Sequence, residues 1–256
     1  MREFVATVLF LTALEQASAH ACDGLGLDSA YRSISMEGVT ACFLYTKTNK
    51  LEKNQLSIDP DGLTLYSISE FQKPKLIYEF PYAGTKGEIQ DAFIASVDGG
   101  PDRRLFVIHR IETPSSWEST SEIHDVIAIK LEHNILTLDK HVSRFFDMGG
   151  DLIDSSGNVI YRHPYKNKAS IKTALNSSLF NAANSASRLE GVIRENTFLY
   201  EGDHAPAIQD RSKIYLTKGD LVVLKDSVAG WCKVSHAGKV KTVEMWAQCQ
   251  AIAFQG

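Results

Sequence analysis

Short apolar runs separated by turn motifs constrain the fold of this chain more than any other feature. They include VTACFLYT from Val39, LTLYSIS from Leu63, KLIYEFPY from Lys75, RLFVIHRIE from Arg104 and HDVIAIKLE from His124. Their lengths and their β-branched and aromatic residues are typical of strands, and the motifs DPDG and DGGPD are typical of turns. The sequence therefore predicts a mainly β protein that begins with an antiparallel β domain.

One later segment has helical periodicity. In KASIKTALNSSLF, residues 168–180, the apolar residues Ile171, Ala174, Leu175 and Leu179 recur on one helical face. We expect a single helix that closes the N-terminal domain, followed by a linker in the small, polar segment NAANSASR from Asn181. The predicted division is a signal peptide at 1–21, a β domain at 22–180, a linker at 181–190 and a small barrel at 191–256.

The N-terminus has the pattern of a secretory signal. Arg2 precedes an apolar stretch at 5–14. Ala17 and Ala19 permit cleavage before His20, whereas Ala19 and Ala21 permit cleavage before Cys22. We expect a periplasmic protein with no transmembrane segment. Lipidation at Cys22 is the alternative, although Ala19 stands where lipoprotein signals carry Leu. A net charge of −4 provides no basic surface for nucleic acid.

Four cysteines fall into two clusters, one at each end of the mature chain: Cys22, Cys42, Cys232 and Cys249. An even number of cysteines in an exported protein indicates disulfides. Of the three possible connectivities we predict the local one, which pairs Cys22 with Cys42 and Cys232 with Cys249. Neither pair has the spacing of a redox or zinc motif.

The C-terminal segment contains an ordered series of motifs: Lys218-Gly219-Asp220 before an alternating strand, then Gly230-Trp231-x-Lys233-Val234, and Trp246 near the end. This series resembles the bacterial Src-homology-3 family of five-stranded barrels, and the resemblance implies a small SH3-like domain. Members that bind peptidoglycan commonly read Leu-Asn-Val-Arg in the first strand, where this chain reads FLYE from Phe198.

The candidate binding residues are aromatic and polar side chains of this C-terminal segment: Tyr200, Tyr215, His204 and Trp246. Tyr200 and Tyr215 are the expected contact surface, whereas Trp231 and Trp246 are expected to lie mainly in the core.

Five of the eight histidines lie between residues 109 and 163. A hairpin that turns at His133 and Asn134 would bring His124 and His141 together as a weak candidate for zinc or copper. The sequence does not determine the register of this hairpin, and histidines at the protein surface are the simpler interpretation. We therefore predict no metal and no cofactor.

The usual catalytic and nucleotide-binding motifs do not occur in the sequence. We therefore expect a non-enzymatic exported protein that binds a protein partner, such as a periplasmic inhibitor or an immunity protein that blocks a toxin. The alternatives are a peptidoglycan-associated module and a cell-wall hydrolase.

Overall fold

The fold is mainly β, as the sequence predicts, and consists of antiparallel sheets with a few helices. It was obtained as a computed structural model. The structure describes residues 21–46, 62–70, 72–81, 85, 87–97, 99–113, 122–185, 187–203, 210–238 and 241–255. The predicted signal sequence lies outside these residues except for Ala21. Among them, no helix is both long enough and apolar enough to cross a membrane.

Two antiparallel sheets form a sandwich in the N-terminal part. The first contains, in spatial order, β1 (Asp28–Met36), β2 (Val39–Thr46), β3 (Gly62–Ser69) and β4 (Gln72–Glu79). The second contains β5 (Gly87–Ser96), β6 (Arg103–Glu112), β7 (Glu122–Glu132) and β8 (Ile135–Leu138), and β9 (Gly149–Gly150) pairs with β7. Four of the five apolar runs quoted above lie wholly on strands, and the run from Lys75 lies on β4 as far as Glu79.

The continuous apolar runs of β6 and β7 follow from burial on both faces of the second sheet. Val107 and Ile127 point into the sandwich, whereas Ile108 and Val126 point to the opposite face, which helices cover. A strand buried on one face only would alternate apolar and polar residues. Continuous apolar character here therefore indicates a central strand.

Three helices cover the second sheet: α1 (Lys140–Phe146), α2 (Lys168–Leu175) and α3 (Ser178–Ser185). The prediction of one helix over 168–180 was wrong, because Ser177 begins a new helix by accepting a hydrogen bond from the Phe180 amide at 3.1 Å. The predicted linker was also wrong at 181–185, which are helical. Buried Ala182 packs against the C-terminal core.

The C-terminal part is one seven-stranded antiparallel sheet that curls into part of a barrel. Its strands are β12 (Glu190–Ile193), β13 (Thr197–Tyr200), β14 (Arg211–Leu216), β15 (Leu221–Val228), β16 (Trp231–Ala237), β17 (Thr242–Gln248) and β18 (Ile252–Phe254). Their spatial order is β14-β13-β17-β16-β15-β12-β18, so β14 is an edge strand.

Both predicted disulfides are present, Cys22–Cys42 and Cys232–Cys249. The first holds residues 22–27 on the outer face of the first sheet, where Leu25 and Leu27 pack around the bridge. The second connects β16 to the 3-10 turn Cys249–Ala251. In this structure the Cys22 sulfur, which lipidation would require, is already bonded to Cys42.

A small hairpin connects the two parts of the molecule. It consists of β10 (Leu152–Ile153) and β11 (Val159–Tyr161) and lies on the outer face of the C-terminal sheet. The Tyr161 ring stacks on Trp231 with centroids 4.6 Å apart, and the Tyr161 hydroxyl donates to the Ala229 carbonyl. We call these contacts, together with those of the following Pro164, the junction.

Gly230 occupies a position in the junction where a side chain does not fit. A Cβ at Gly230 would lie 2.5 Å from the Tyr161 hydroxyl oxygen and 2.6 Å from Pro164 Cδ, and its φ of +84° favours glycine. Gly219 has a similar φ of +97°, but a Cβ at Gly219 would meet no atom within 4 Å outside the adjoining residues. A substitution at Gly219 therefore introduces backbone strain alone, whereas a substitution at Gly230 introduces backbone strain and close contacts.

We predict that Gly230→Ala lowers the free energy of unfolding by about 2–4 kcal/mol, from backbone strain plus overpacking. Gly219→Ala, with strain alone, should cost about 1–2 kcal/mol. Urea unfolding of both variants measures the difference. Equal costs would contradict a tightly packed junction at Gly230.

Candidate functional site

The structure separates the predicted contact residues into a buried pair and an exposed one. Tyr200 is only 5% exposed, because its ring packs edge-on against Trp231 with centroids 4.8 Å apart. Trp246 is 1% exposed and donates its indole N–H to the Gly202 carbonyl at 3.0 Å. Trp246 therefore lies in the core, as expected, and Tyr200 is buried as well, so the expectation that Tyr200 is part of an exposed contact surface was wrong.

Tyr215 is exposed as predicted, and it lies in an aromatic patch on the edge of the C-terminal sheet. Tyr215 is 57% exposed and faces Phe198, 39% exposed, across the β13–β14 pair. Their ring centroids are 6.2 Å apart, and the Arg211 guanidinium lies 3.5 Å from the Phe198 centroid. We call these three residues the edge patch. His204 lies outside the described residues.

The edge patch has the composition of a binding surface. Exposed aromatic side chains and Arg dominate the energetics of protein contacts, because they combine a large apolar area with directional polar groups. Arg211 forms no ion pair with any residue that the structure describes. Its guanidinium N–H groups can therefore bind a partner while its flat face rests on Phe198.

A groove of about 610 Å³ is lined by residues of β13, β14, β16 and β17, and none of the three edge-patch residues is part of its lining. Its apolar lining includes Ile214 and Met245, and its charged lining includes Lys233, Glu201 and Glu244. Charges of both signs make this groove suited to a polar contact rather than to an apolar ligand.

The predicted pairing of His124 with His141 was wrong. The β7–β8 hairpin does turn at His133 and Asn134, which have φ values of 51° and 58°. However, β8 ends at Leu138 because Asp139 caps α1 and accepts a hydrogen bond from the Val142 amide. His141 therefore lies on a helix, where its Nε2 is 3.2 Å from the Asn184 carbonyl oxygen.

His124 instead lies beside His163, which the sequence did not single out. Both side chains are buried, their ring centroids are 6.4 Å apart, and their planes differ by 17°. Nδ1 of His124 and both ring nitrogens of His163 have no hydrogen-bond partner among the described residues. Buried polar atoms without partners are rare and destabilising.

Burial controls the protonation of these histidines. It lowers the pKa of His163 to about 3, and the nearby His124 lowers it further than burial alone would. Burial also lowers the pKa of His124, against the opposing effect of Glu122. Both imidazoles are therefore neutral near pH 7.

A third buried histidine, His109, lies on the other face of the second sheet, inside the sandwich. It is opposite Asp125 on β7 and contacts Phe80. Burial lowers the pKa of His109 to about 4 and raises that of Asp125 to about 6, although Asp125 accepts a hydrogen bond from Tyr78 at 3.1 Å. This group lies among the apolar residues of the sandwich, away from the edge patch.

Within the described ranges, no three His, Cys, Asp or Glu side chains form a cluster that could hold a metal ion. All four cysteines are in disulfides, so none of them provides a free thiol. Comparison with protein-family models, with curated proteins and with solved structures found no match. The resemblance of the C-terminal segment to the Src-homology-3 family stays a prediction.

We predict that Tyr200 contributes much more than Tyr215 to the free energy of unfolding. Tyr200→Ala removes a packed core ring and should lower the free energy of unfolding by about 3–5 kcal/mol. Tyr215→Ala removes an exposed ring and should change it by less than about 0.5 kcal/mol. Urea unfolding tests both, and a large loss for Tyr215→Ala would assign that ring to the core as well.

Proposed function

We propose that this chain is an exported, non-enzymatic protein that acts by binding a protein partner through the edge patch. The observation that carries the proposal is the exposed aromatic pair, Phe198 and Tyr215, with the Arg211 guanidinium stacked on Phe198 at the edge of the sheet. A periplasmic inhibitor or immunity protein is the specific form that we favour. It presents a preformed surface to a partner and needs no catalytic group.

The two disulfides support the export part of the proposal. A bridge that closes a loop of this size stabilises a protein by about 3 kcal/mol, and such bridges persist in oxidising compartments. The signal-like N-terminus, with Arg2 before an apolar stretch, is consistent with the same compartment.

The rigidity of the surface around the edge patch supports the binding part. Phe198 lies on β13 directly beside buried Leu199, and Tyr200 anchors the same strand against Trp231. A surface that is fixed by the core beneath it loses little conformational entropy when it binds. Tyr200 and Trp231 therefore position the patch without contacting the partner.

Two alternatives predict different partners. A peptidoglycan-associated module would bind cell-wall glycan or peptide through the same C-terminal sheet. A cell-wall hydrolase with a cysteine nucleophile would need a free thiol, whereas Cys22 and Cys232 are both bonded. The disulfides thus favour the binding proposal over a thiol hydrolase.

Site-specific photo-crosslinking in the native host tests the proposal. We would replace Tyr215 with p-benzoylphenylalanine and, as the matched control, replace exposed Leu221, which lies on β15 four strands away from β14 in the sheet. We expect one discrete protein adduct from position 215 and none from position 221. Arg211→Ala should reduce the yield of that adduct about tenfold, as for an interface hot spot.

Three results would contradict the proposal. One is the absence of any protein adduct from position 215, and another is an equal adduct pattern from positions 215 and 221. The third is an adduct that only muramidase digestion releases, together with salt-resistant retention of the protein on isolated sacculi. That third result would establish the peptidoglycan-associated alternative instead.

A further inference from the structure

The His124–His163 pair depends on the absence of a side chain at Gly149. His124 on β7 lies opposite Gly149 on β9 in the antiparallel register. A Cβ at Gly149 would lie 2.6 Å from Nδ1 of His163, so the ring of His163 occupies the space that a side chain at Gly149 would fill. Only a glycine at this position lets the second imidazole lie beside the first.

His163 is also part of the junction between the two parts of the molecule. It follows Tyr161, which contacts Trp231 and Ala229, and precedes Pro164, which packs on Gly230. The His163 ring is 3% exposed. Water can therefore reach this ring only if the segment at 161–165 separates from the second sheet or from the C-terminal sheet.

The charged groups around the pair come from several elements and already bind one another. Asp151, before β10, accepts hydrogen bonds from the His163 amide at 2.8 Å and from Lys166 Nζ at 2.7 Å. Glu122 on β7 lies 3.4 Å from Arg110 on β6, which also binds Glu88 on β5.

Only one of these carboxylates approaches a ring nitrogen. Glu122 Oε1 lies 3.8 Å from His124 Nε2, beyond hydrogen-bond distance. The cations Lys166 and Arg110 oppose a positive charge on His124, and Lys166 opposes one on His163. The Ala229 carbonyl of the C-terminal sheet favours a positive charge on His163, but this carbonyl already accepts a hydrogen bond from the Tyr161 hydroxyl. Asp151 favours a positive charge on both rings and Glu122 favours one on His124, but Lys166 already binds Asp151 and Arg110 already binds Glu122.

We propose that the His124–His163 pair is an acid-sensitive joint, which holds the N-terminal sandwich and the C-terminal sheet together while both rings are neutral and loosens when they bind protons. The most direct way to hydrate a protonated His163 is to separate the 161–165 segment from the Ala229–Gly230 turn. Acid should therefore weaken the junction before it weakens the interior of the second sheet.

Proton linkage gives the direction in which stability changes with pH. The folded pKa of His163 is about 3, whereas an unfolded histidine titrates near its ordinary value of 6.5. The unfolded state therefore binds more protons between these values, and stability falls as the pH drops from about 6.5 towards 3. Between pH 7.5 and 4.5, His163 alone should lower the folded-to-unfolded ratio by about 90-fold.

His124 contributes in the same direction as His163, and two buried groups outside the pair also contribute over this range. His109, with a pKa of about 4, should lower the ratio by about 70-fold, but it lies on the other face of the second sheet. Asp125, with a raised pKa of about 6, binds a proton more readily in the folded state and should offset the loss by about 25-fold. His109 therefore provides a control that is buried but not at the junction, and among the described residues its electrostatic link to the pair is the charge of His124, which also lowers its pKa.

The test compares wild type, His163→Gln and His109→Gln at pH 7.5 and 4.5, with EDTA present so that no metal occupies the imidazoles. Urea unfolding measures the folded-to-unfolded ratio. Hydrogen exchange, corrected for the intrinsic rate at each pH, compares the amides of β15 and β16 with those of β6 and β7. The full mature chain is used throughout.

We expect acid to reduce the protection of β15 and β16 in wild type at least tenfold more than that of β6 and β7. His163→Gln should remove this difference. It should also make the acid-induced decrease in the folded-to-unfolded ratio about 90-fold smaller than in wild type. His109→Gln should reduce the global loss but keep the difference. An unchanged acid response of His163→Gln, or an equal loss of protection in all four wild-type strands, would overturn the proposal.

If His163→Gln does not fold at pH 7.5, NMR titration of the histidine Cε1–H signals in wild type decides the question. We expect the His163 signal to stay in its neutral position down to about pH 4.5 and to change only together with the β15 and β16 amide signals. A His163 signal that titrates near pH 6.5, with those amides unchanged, would overturn the proposal.

Discussion

The stack of Tyr161 on Trp231 is the contact on which the rest of the structure depends. It joins a two-stranded hairpin of the N-terminal part to the outer face of the C-terminal sheet, and Gln248 reinforces it by donating to the Ile160 carbonyl at 2.9 Å. A bidentate ion pair between Arg144 and Asp226 closes the same interface from α1. Because aromatic rings contribute a large buried area, this small contact region can hold two sheets as one body.

The same contact explains where a binding surface can and cannot form. Trp231 lies on the outer face of the C-terminal sheet, so the hairpin that covers it also covers the neighbouring side chains of Tyr200 and Trp246. The edge of the sheet beyond the hairpin stays exposed, and Phe198 and Tyr215 lie there. The buried aromatic residues stabilise the sheet, and the exposed ones at its edge are available to a partner.

Local signals in the sequence predict the strands and disulfides but not the long-range contacts. The runs from Val39 and Arg104 were recognisable by their β-branched residues, whereas nothing local distinguishes buried Tyr200 from exposed Tyr215, because a segment about 40 residues earlier covers the first. His163 carries no motif, and its place beside His124 depends on the pairing of β9 with β7. The role of Arg211 could not be predicted from the sequence either, because its stack on Phe198 requires the β13–β14 pair.

The central claim is that the junction makes the two parts one cooperative unit at neutral pH. Urea unfolding at pH 7.5 tests it in a Trp117→Phe background, where the fluorescence of Trp231 and Trp246 reports on the C-terminal sheet and far-UV circular dichroism reports on the whole chain. Coincident transitions with the same midpoint and slope are the predicted result. A fluorescence transition that separates from the circular dichroism transition would contradict the claim.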